Sequence, residues 1–211
     1  MSAIDTLKTM VIEGDLDEIG GVTEETVKEG ADPQQIINGL IAAMDIVGDR
    51  FASGDKFLPE MMLSAKTMDA ALDVLRPILV GRGIKPRATV VFGTVQGDVH
   101  DIGKNLVIMM MQGAGFEIHD LGVDVPPEAF LERVSALKPD LCCMSALLNT
   151  TLEAMQRTIN LLKEKGVGSS VKILVGGAVL TESFATSIGA DGYAPDARSG
   201  VLKAKALLGL A

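Results

Sequence analysis

Gly97-Asp98-Val99-His100-Asp101-Ile102-Gly103-Lys104-Asn105 is a short polar stretch set between two apolar ones. Ala88-Thr89-Val90-Val91-Phe92-Gly93 precedes it and reads as a buried strand, and Leu106 to Met111 follows and reads as a helix. A polar loop between a buried strand and a helix lies at the carboxyl edge of a parallel sheet, where α/β folds take their ligands. The loop carries one of only two histidines, with Asp98 two residues ahead of His100. A carboxylate beside an imidazole orients it and raises its basicity as a metal ligand. Taken alone, the loop reads first as an ordinary turn with a solvated histidine.

Working outward, the strand–loop–helix pattern repeats. Further apolar runs at 116–121, 140–145 and 171–175, and a shorter one at 191–194, read as strands. Helical segments at about 103–114, 126–137, 151–165 and 182–188 separate them, and one more follows Pro195. Regular alternation predicts a parallel sheet with helices on both faces. Residues 87–211 are thus expected to form a five-stranded, flavodoxin-like (Rossmann-like) α/β domain. Residues 1–83 have the helical period instead. Ile4, Leu7, Met10 and Val11 mark one helix, Asp15 to Glu29 a second, and Asp32-Pro33 opens a third that runs towards Phe51. A fourth starts near Leu58-Pro59 and lines up Leu58, Met61, Met62, Ala65, Met68, Leu72 and Leu75. Short connections predict a four-helix bundle, with Gly81-Arg82-Gly83-Ile84-Lys85-Pro86 as a linker.

Composition narrows the function. The net charge of −9 and an aromatic content of 3% with no Trp argue against nucleic acid, which asks for a basic face and stacking platforms. No apolar run approaches the ~20 residues of a membrane span, and the first residues carry no secretory signal. Cys142 and Cys143 are adjacent in an apolar run, where they fill core space rather than bridge, which fits the cytoplasm. The eleven methionines read as core filler and His119, beside Asp120, as a structural histidine.

In such a sheet three strand ends converge: the Asp98–Gly103 loop, Ser145-Ala146-Leu147, and Gly176-Gly177-Ala178. Each is small or glycine-bearing, so a ligand could lie close against the backbone. The chain lacks Gly-x-Gly-x-x-Gly, the P-loop and Gly-x-Ser-x-Gly, and it offers no cluster suited to zinc.

In order, Asp98-x-His100-x-x-Gly103, Ser145-x-Leu147 and Gly176-Gly177 resemble the corrinoid-binding signature of the cobalamin-dependent methyltransferases and mutases. The spacers of 41 residues (104 to 144) and 28 residues (148 to 175) suit that family. Upstream, Val47-Gly48-Asp49-Arg50-Phe51 and Phe57-Leu58-Pro59-Glu60-Met61 are similar to the helical cap that precedes the α/β domain in methionine synthase. The same cap occurs in the small corrinoid proteins of methylamine, methanol and aryl-ether methyl transfer. The resemblance covers most of the chain and is to a methyltransferase cognate corrinoid protein.

The resemblance implies a corrinoid cofactor, a cobalamin or related cobamide, with His100 as the lower axial ligand of cobalt in place of the cofactor's benzimidazole. Asp98 would hold the other ring nitrogen and Thr151 would continue the relay. Ser145, Leu147, Gly176 and Gly177, with Gly103, would line the slot for the displaced nucleotide tail, and Tyr193 and Ala194 would wall it. Phe51, Leu58 and Met61 would cover the upper face. The implied role is a methyl carrier, non-catalytic by itself, loaded by one methyltransferase and unloaded by a second onto a thiol or tetrahydropterin, with a reductive activase as a further partner. Two other readings are a cobalamin-binding sensor, which usually adds a signalling segment and a cap Trp, and the small subunit of a mutase.

Overall fold

In the computed structural model, which describes residues 2–82 and 85–210, contacts divide the chain into two units. The first comprises the chain up to Arg87 together with Met109–Gly115, and the second comprises Ala88–Ile108 and the rest from Phe116 onward. The boundary read from the sequence at Gly83, and Ile84 of the linker, lie outside the described residues.

The first unit is built on four helices: α1 (Ala3–Glu13), α2 (Leu16–Lys28), α3 (Pro33–Ser53) and α4 (Leu58–Gly81). Each begins or ends where local chemistry asks it to. Ser2 and Asp5 form a reciprocal capping box on α1, Asp32 caps α3 with Pro33 in its first turn, and Gly14 and Gly54 close α1 and α3 in the left-handed region. α1 packs on α3 and α2 on α4, which buries Leu7, Val11, Ile19, Ile36, Leu40, Val47, Met61, Met68 and Leu75. Along α4, Leu58 stays part-exposed and Leu72 half-buried, while Ala71, which the spacing did not single out, is fully buried.

The second unit is a five-stranded parallel sheet of β1 (Ala88–Thr94), β2 (Phe116–Asp120), β3 (Leu141–Ser145), β4 (Lys172–Gly176) and β5 (Gly192–Ala194), in the order β2-β1-β3-β4-β5. The helices between are α5 (Ile102–Gly113), α6 (Pro127–Leu137), α7 (Leu152–Glu164), α8 (Glu182–Ser187) and, last, α9 (Ala197–Leu207). Val91, Cys142, Met144, Ile173 and Val175 face one way, into a core completed by Phe130 and Val134 of α6, Met155 and Ile159 of α7, and Ala185 of α8. On the opposite face Gly200 of α9 lies close to both Val107 of α5 and Ala194 of β5. The order turns back on itself at β1, whose neighbours are reached by connections leaving in opposite directions. A crevice therefore opens at the carboxyl ends of β1 and β3, the position at which doubly wound sheets bind ligands.

Register sets what lines that edge. Thr94 pairs with Ser145, Ser145 with Gly176, and Gly176 with Ala194. Strand alternation puts all four on the α5/α9 face. The last rung of four adjacent strands thus carries only small side chains, and a Cβ added at Gly176 would meet nothing within 4 Å except the Ala194 carbonyl oxygen.

Candidate functional site

The loop after β1 is held in shape from several directions. Gly97 has φ +84°, which a residue with a side chain rarely adopts, and its N–H donates to Asp124 Oδ1 at 2.7 Å. The Asp124 N–H donates in turn to the Asp98 carbonyl at 2.8 Å. Asp98 then folds back on the backbone in an Asx turn, accepting from the His100 N–H at 3.1 Å. Thr94, at the end of β1, donates its hydroxyl to the His100 carbonyl at 3.0 Å. The His100 peptide is therefore fixed on both sides.

Asp98 is wholly buried although charged, and its acceptors are fully used. Oδ1 accepts from His100 Nδ1 at 2.7 Å. Oδ2 accepts from the Leu147 N–H at 2.7 Å and the Leu148 N–H at 3.3 Å. The Thr151 hydroxyl lies 3.0 Å from Oδ2 and 2.8 Å from the Leu148 carbonyl, with one proton to share between them. Burial by itself would raise the carboxyl's pKa, but the bonds from Leu147, His100 and Thr151 outweigh it and hold Asp98 at about 2. The carboxylate is acceptor-only, so His100 Nδ1 carries a proton and Nε2 is the ring nitrogen left to offer a lone pair. The imidazole is 47% exposed, and the loop and turn that hold it carry the exposed apolar side chains of Val99 at 67% and Ile102 at 78%, and the part-exposed Leu147 and Leu148. Exposed apolar side chains on the segments that hold such a nitrogen mark a binding surface.

Sequence reasoning brought together Asp98, His100, Ser145, Leu147, Thr151, Gly176 and Ala194, and all seven meet at this edge. Leu147 contributes its backbone N–H to Asp98 as well as its side chain. Gly103 is open, with nothing within 4 Å of an added Cβ. Gly177 is glycine for a backbone reason: φ is +137° and a Cβ would collide with the Ala146 carbonyl. Tyr193 is a correction. It pairs with Val175, so its ring turns to the α6/α7 face, packs on that core and donates its hydroxyl to the Leu180 carbonyl at 2.9 Å. It cannot wall a slot on the other face, where only Ala194 stands. Phe51, Leu58 and Met61 all belong to the helical unit. Met61 is fully buried, whereas Phe51 is half-buried and Leu58 part-exposed.

Two residues went unread. Thr94 extends β1 one residue past Gly93, and the signal was a hydroxyl in phase with Val90 and Phe92. Lys104 is almost fully buried and donates to Asp120 Oδ2 at 2.6 Å, tying the first turn of α5 to the end of β2. His119 accepts from Arg133 at Nδ1 and faces Glu117 at Nε2, a structural role. Cys142 and Cys143 are buried and unbridged, and burial pushes the Cys142 thiol up to about 12 and that of Cys143 well above its ordinary value.

Among the described residues no three His, Cys, Asp or Glu side chains gather to hold a bare metal ion. A metal at His100 Nε2 must bring its other ligands with it, and the row of small residues beside it sets no bulky side chain of its own against a long appendage. The fold and the site thus define a binding domain for a cofactor that carries its own macrocycle. The comparisons with known proteins agree. Residues 88–202 match a B12 binding domain family, and residues 3–76 match a second B12 binding domain family. The chain is 46% identical to dimethylamine corrinoid protein 2 of Methanosarcina mazei over 87% of each chain, and 37% identical to a corrinoid protein of Desulfitobacterium hafniense over 99% of each. Among solved structures, the methanol:cobalamin methyltransferase complex MtaBC of Methanosarcina barkeri superposes with a TM-score of 0.89 at 30% identity, covering 98% of this chain and 80% of that one. A cobalamin-binding protein of D. hafniense superposes at 0.77, also at 30% identity, covering 97% and 98%. The chain belongs to the B12-binding corrinoid proteins of methyltransferase systems, and its cofactor is a corrinoid.

Proposed function

We infer that the chain is a methyl carrier that would hold cobalt through His100 Nε2 and that passes methyl groups between two methyltransferases. The reading rests on one observation: Nδ1 is committed to a buried carboxylate, which leaves Nε2, directed away from Asp98, as the ring nitrogen that can offer a lone pair. When bound, the corrinoid supplies the cobalt on which a methyl group rides.

The chain's own residues then have distinct tasks. Asp98 fixes the tautomer, and Leu147, Leu148 and Thr151 hold Asp98. Val99, Ile102, Leu147 and Leu148 offer apolar surface to the underside of a macrocycle, and its burial stabilises the complex by about 25 cal/mol per Å². Thr94, Ser145, Gly176 and Ala194, with Gly103 nearby, take the displaced tail. A carboxyl held at about 2 stays ionised at neutral pH, so Asp98 remains an acceptor for His100 Nδ1 and does not itself take up a proton.

The names of the relatives point to a methylamine or methanol donor, and a methyl ether is the further candidate. A thiol or a pterin is the expected acceptor, and a reductive activase would restore oxidised cobalt. No helix among the described residues is long and apolar enough to cross a membrane, and two unbridged buried thiols fit a cytoplasmic setting. The sensor reading has no feature here that favours it. The chain labelled with ¹⁵N-histidine and loaded with a cobamide tests the ligand. In the paramagnetic cobalt(II) state the labelling should change the nitrogen splitting of the electron paramagnetic resonance signal. An unchanged splitting would remove His100 from the cobalt. Methyl transfer assays with each candidate donor and its methyltransferase would then identify the partners.

A further inference from the structure

The slot and the ligand histidine are linked by two hydroxyls. Thr94 Oγ1 lies 3.0 Å from the His100 carbonyl oxygen and 2.9 Å from Ser145 Oγ. Thr94 is 1% exposed and Ser145 half-buried, so neither bond can be freely exchanged with bulk water on the Thr94 side. Proton counting gives the chain of bonds a direction. A carbonyl oxygen only accepts, so the single Thr94 proton goes to His100, and Ser145 must then donate to Thr94. In this arrangement Ser145 presents only lone pairs to the slot.

A group in the slot that can only accept a hydrogen bond conflicts with this arrangement. If Ser145 turns its proton to that group, two oxygen lone pairs are left facing each other across 2.9 Å unless Thr94 also turns. Turning Thr94 towards Ser145 restores the pair and leaves the His100 carbonyl without its donor. An occupant lacking an acceptor has no such effect.

We propose that Thr94 is a positioning residue that couples the chemistry of the tail in the slot to the His100 peptide. An occupant that accepts from Ser145 reverses the hydroxyl pair and releases the His100 carbonyl, and one that does not leaves the peptide held. The coupling rests on the reading of His100 as the cobalt ligand. It goes beyond that reading by making the firmness of the ligand depend on which tail is bound.

The test loads the full chain with a cobamide whose tail is a benzimidazole, which has a ring-nitrogen acceptor, or with one whose tail is a phenol ether, which has no ring nitrogen. The ratio of imidazole-bound to imidazole-free cobalt at one fixed pH is read from the visible spectrum, with ¹⁵N-histidine labelling to identify the ligand. The wild type should hold imidazole roughly fivefold more firmly with the phenolic tail, the weight of one ordinary hydrogen bond. Thr94→Val removes both bonds and should abolish that difference, while Thr94→Ser should restore it. Ser145→Ala keeps Thr94 on His100 under either tail and should abolish it too, which keeps the test decisive if the valine variant fails to fold. Competition of the benzimidazole itself for cobalt would survive both substitutions. A difference that persists in them, or that is missing from the wild type, overturns the coupling. A splitting unmoved by histidine labelling overturns the ligand assignment instead, and the coupling with it.

Discussion

Replacing Asp98 by Asn tests the centre of the site without any cofactor. The Asp98 carboxyl is held at about 2 against an ordinary 3.8. With the carboxylate wholly buried, that difference corresponds to about 2 kcal/mol of folding free energy at neutral pH. The folded-state value is the lower one, so this stability is complete above pH ~4. It is lost as the pH falls towards 2, with about half gone near pH 3. An Asn in the same place has one acceptor oxygen and one NH₂. With its oxygen turned to the Leu147 and Leu148 N–H groups, its NH₂ faces His100 Nδ1, which must then be the unprotonated nitrogen. The proton moves to Nε2 and removes the lone pair meant for a metal. Asp98→Asn is therefore expected to fold, to lose about 2 kcal/mol in urea unfolding at pH 7, and to lose less at pH 3. Long-range ¹H–¹⁵N spectra should show His100 protonated at Nδ1 in the wild type and at Nε2 in the variant. With only two histidines in the chain, a His119→Gln background assigns the signals. Equal stability of the two proteins at pH 7, or a wild-type Nε2–H, would refute the reasoning.

Other substitutions probe the remaining parts. Gly177→Ala drives a Cβ into the Ala146 carbonyl at a φ that alanine avoids, so a loss of more than about 2 kcal/mol is expected in thermal or urea unfolding. Ser145→Leu puts a branched side chain into the row of small residues, and the folded variant should retain far less corrinoid after gel filtration than the wild type, read by cobalt content. The Lys104–Asp120 pair should respond asymmetrically, because Lys104 is buried and Asp120 is 40% exposed. Asp120→Asn leaves the buried cation with neutral acceptors only, Asn105 Oδ1 among them, and should cost about 3 kcal/mol, while Lys104→Met leaves a carboxylate that water can reach and should cost roughly 1 kcal/mol; urea unfolding of both variants checks the order.

Much of the fold was legible because apolar periodicity is a local property. The alternation of apolar runs and helical segments located β1 to β5 and α5 to α9 within a residue or two, and Asp32-Pro33 marked the start of α3. The site was legible where the chemistry lies along the chain, as with Asp98 and His100. What lay hidden depends on partners distant in sequence. The Leu147 and Leu148 N–H groups that hold Asp98 stand about fifty residues away from it, and backbone N–H groups have no signature of their own. Tyr193 was misplaced for a different reason. A strand end contains side chains pointing both ways, and register with Val175 rather than proximity to Ala194 decides the direction. Met61 likewise follows the core stripe of α4, where spacing outranks the motif that contains it.

Because Asp98 receives its bonds from the loop after β1 and from the turn after β3 at once, the imidazole's setting is joint property of two segments. Transplanting the Asp98–Gly103 loop alone into another parallel sheet would deliver a histidine with a loose, wrongly protonated ring. An engineer wishing to move this ligand must carry the 145–151 turn along with it, at the same distance across the same pair of neighbouring strands.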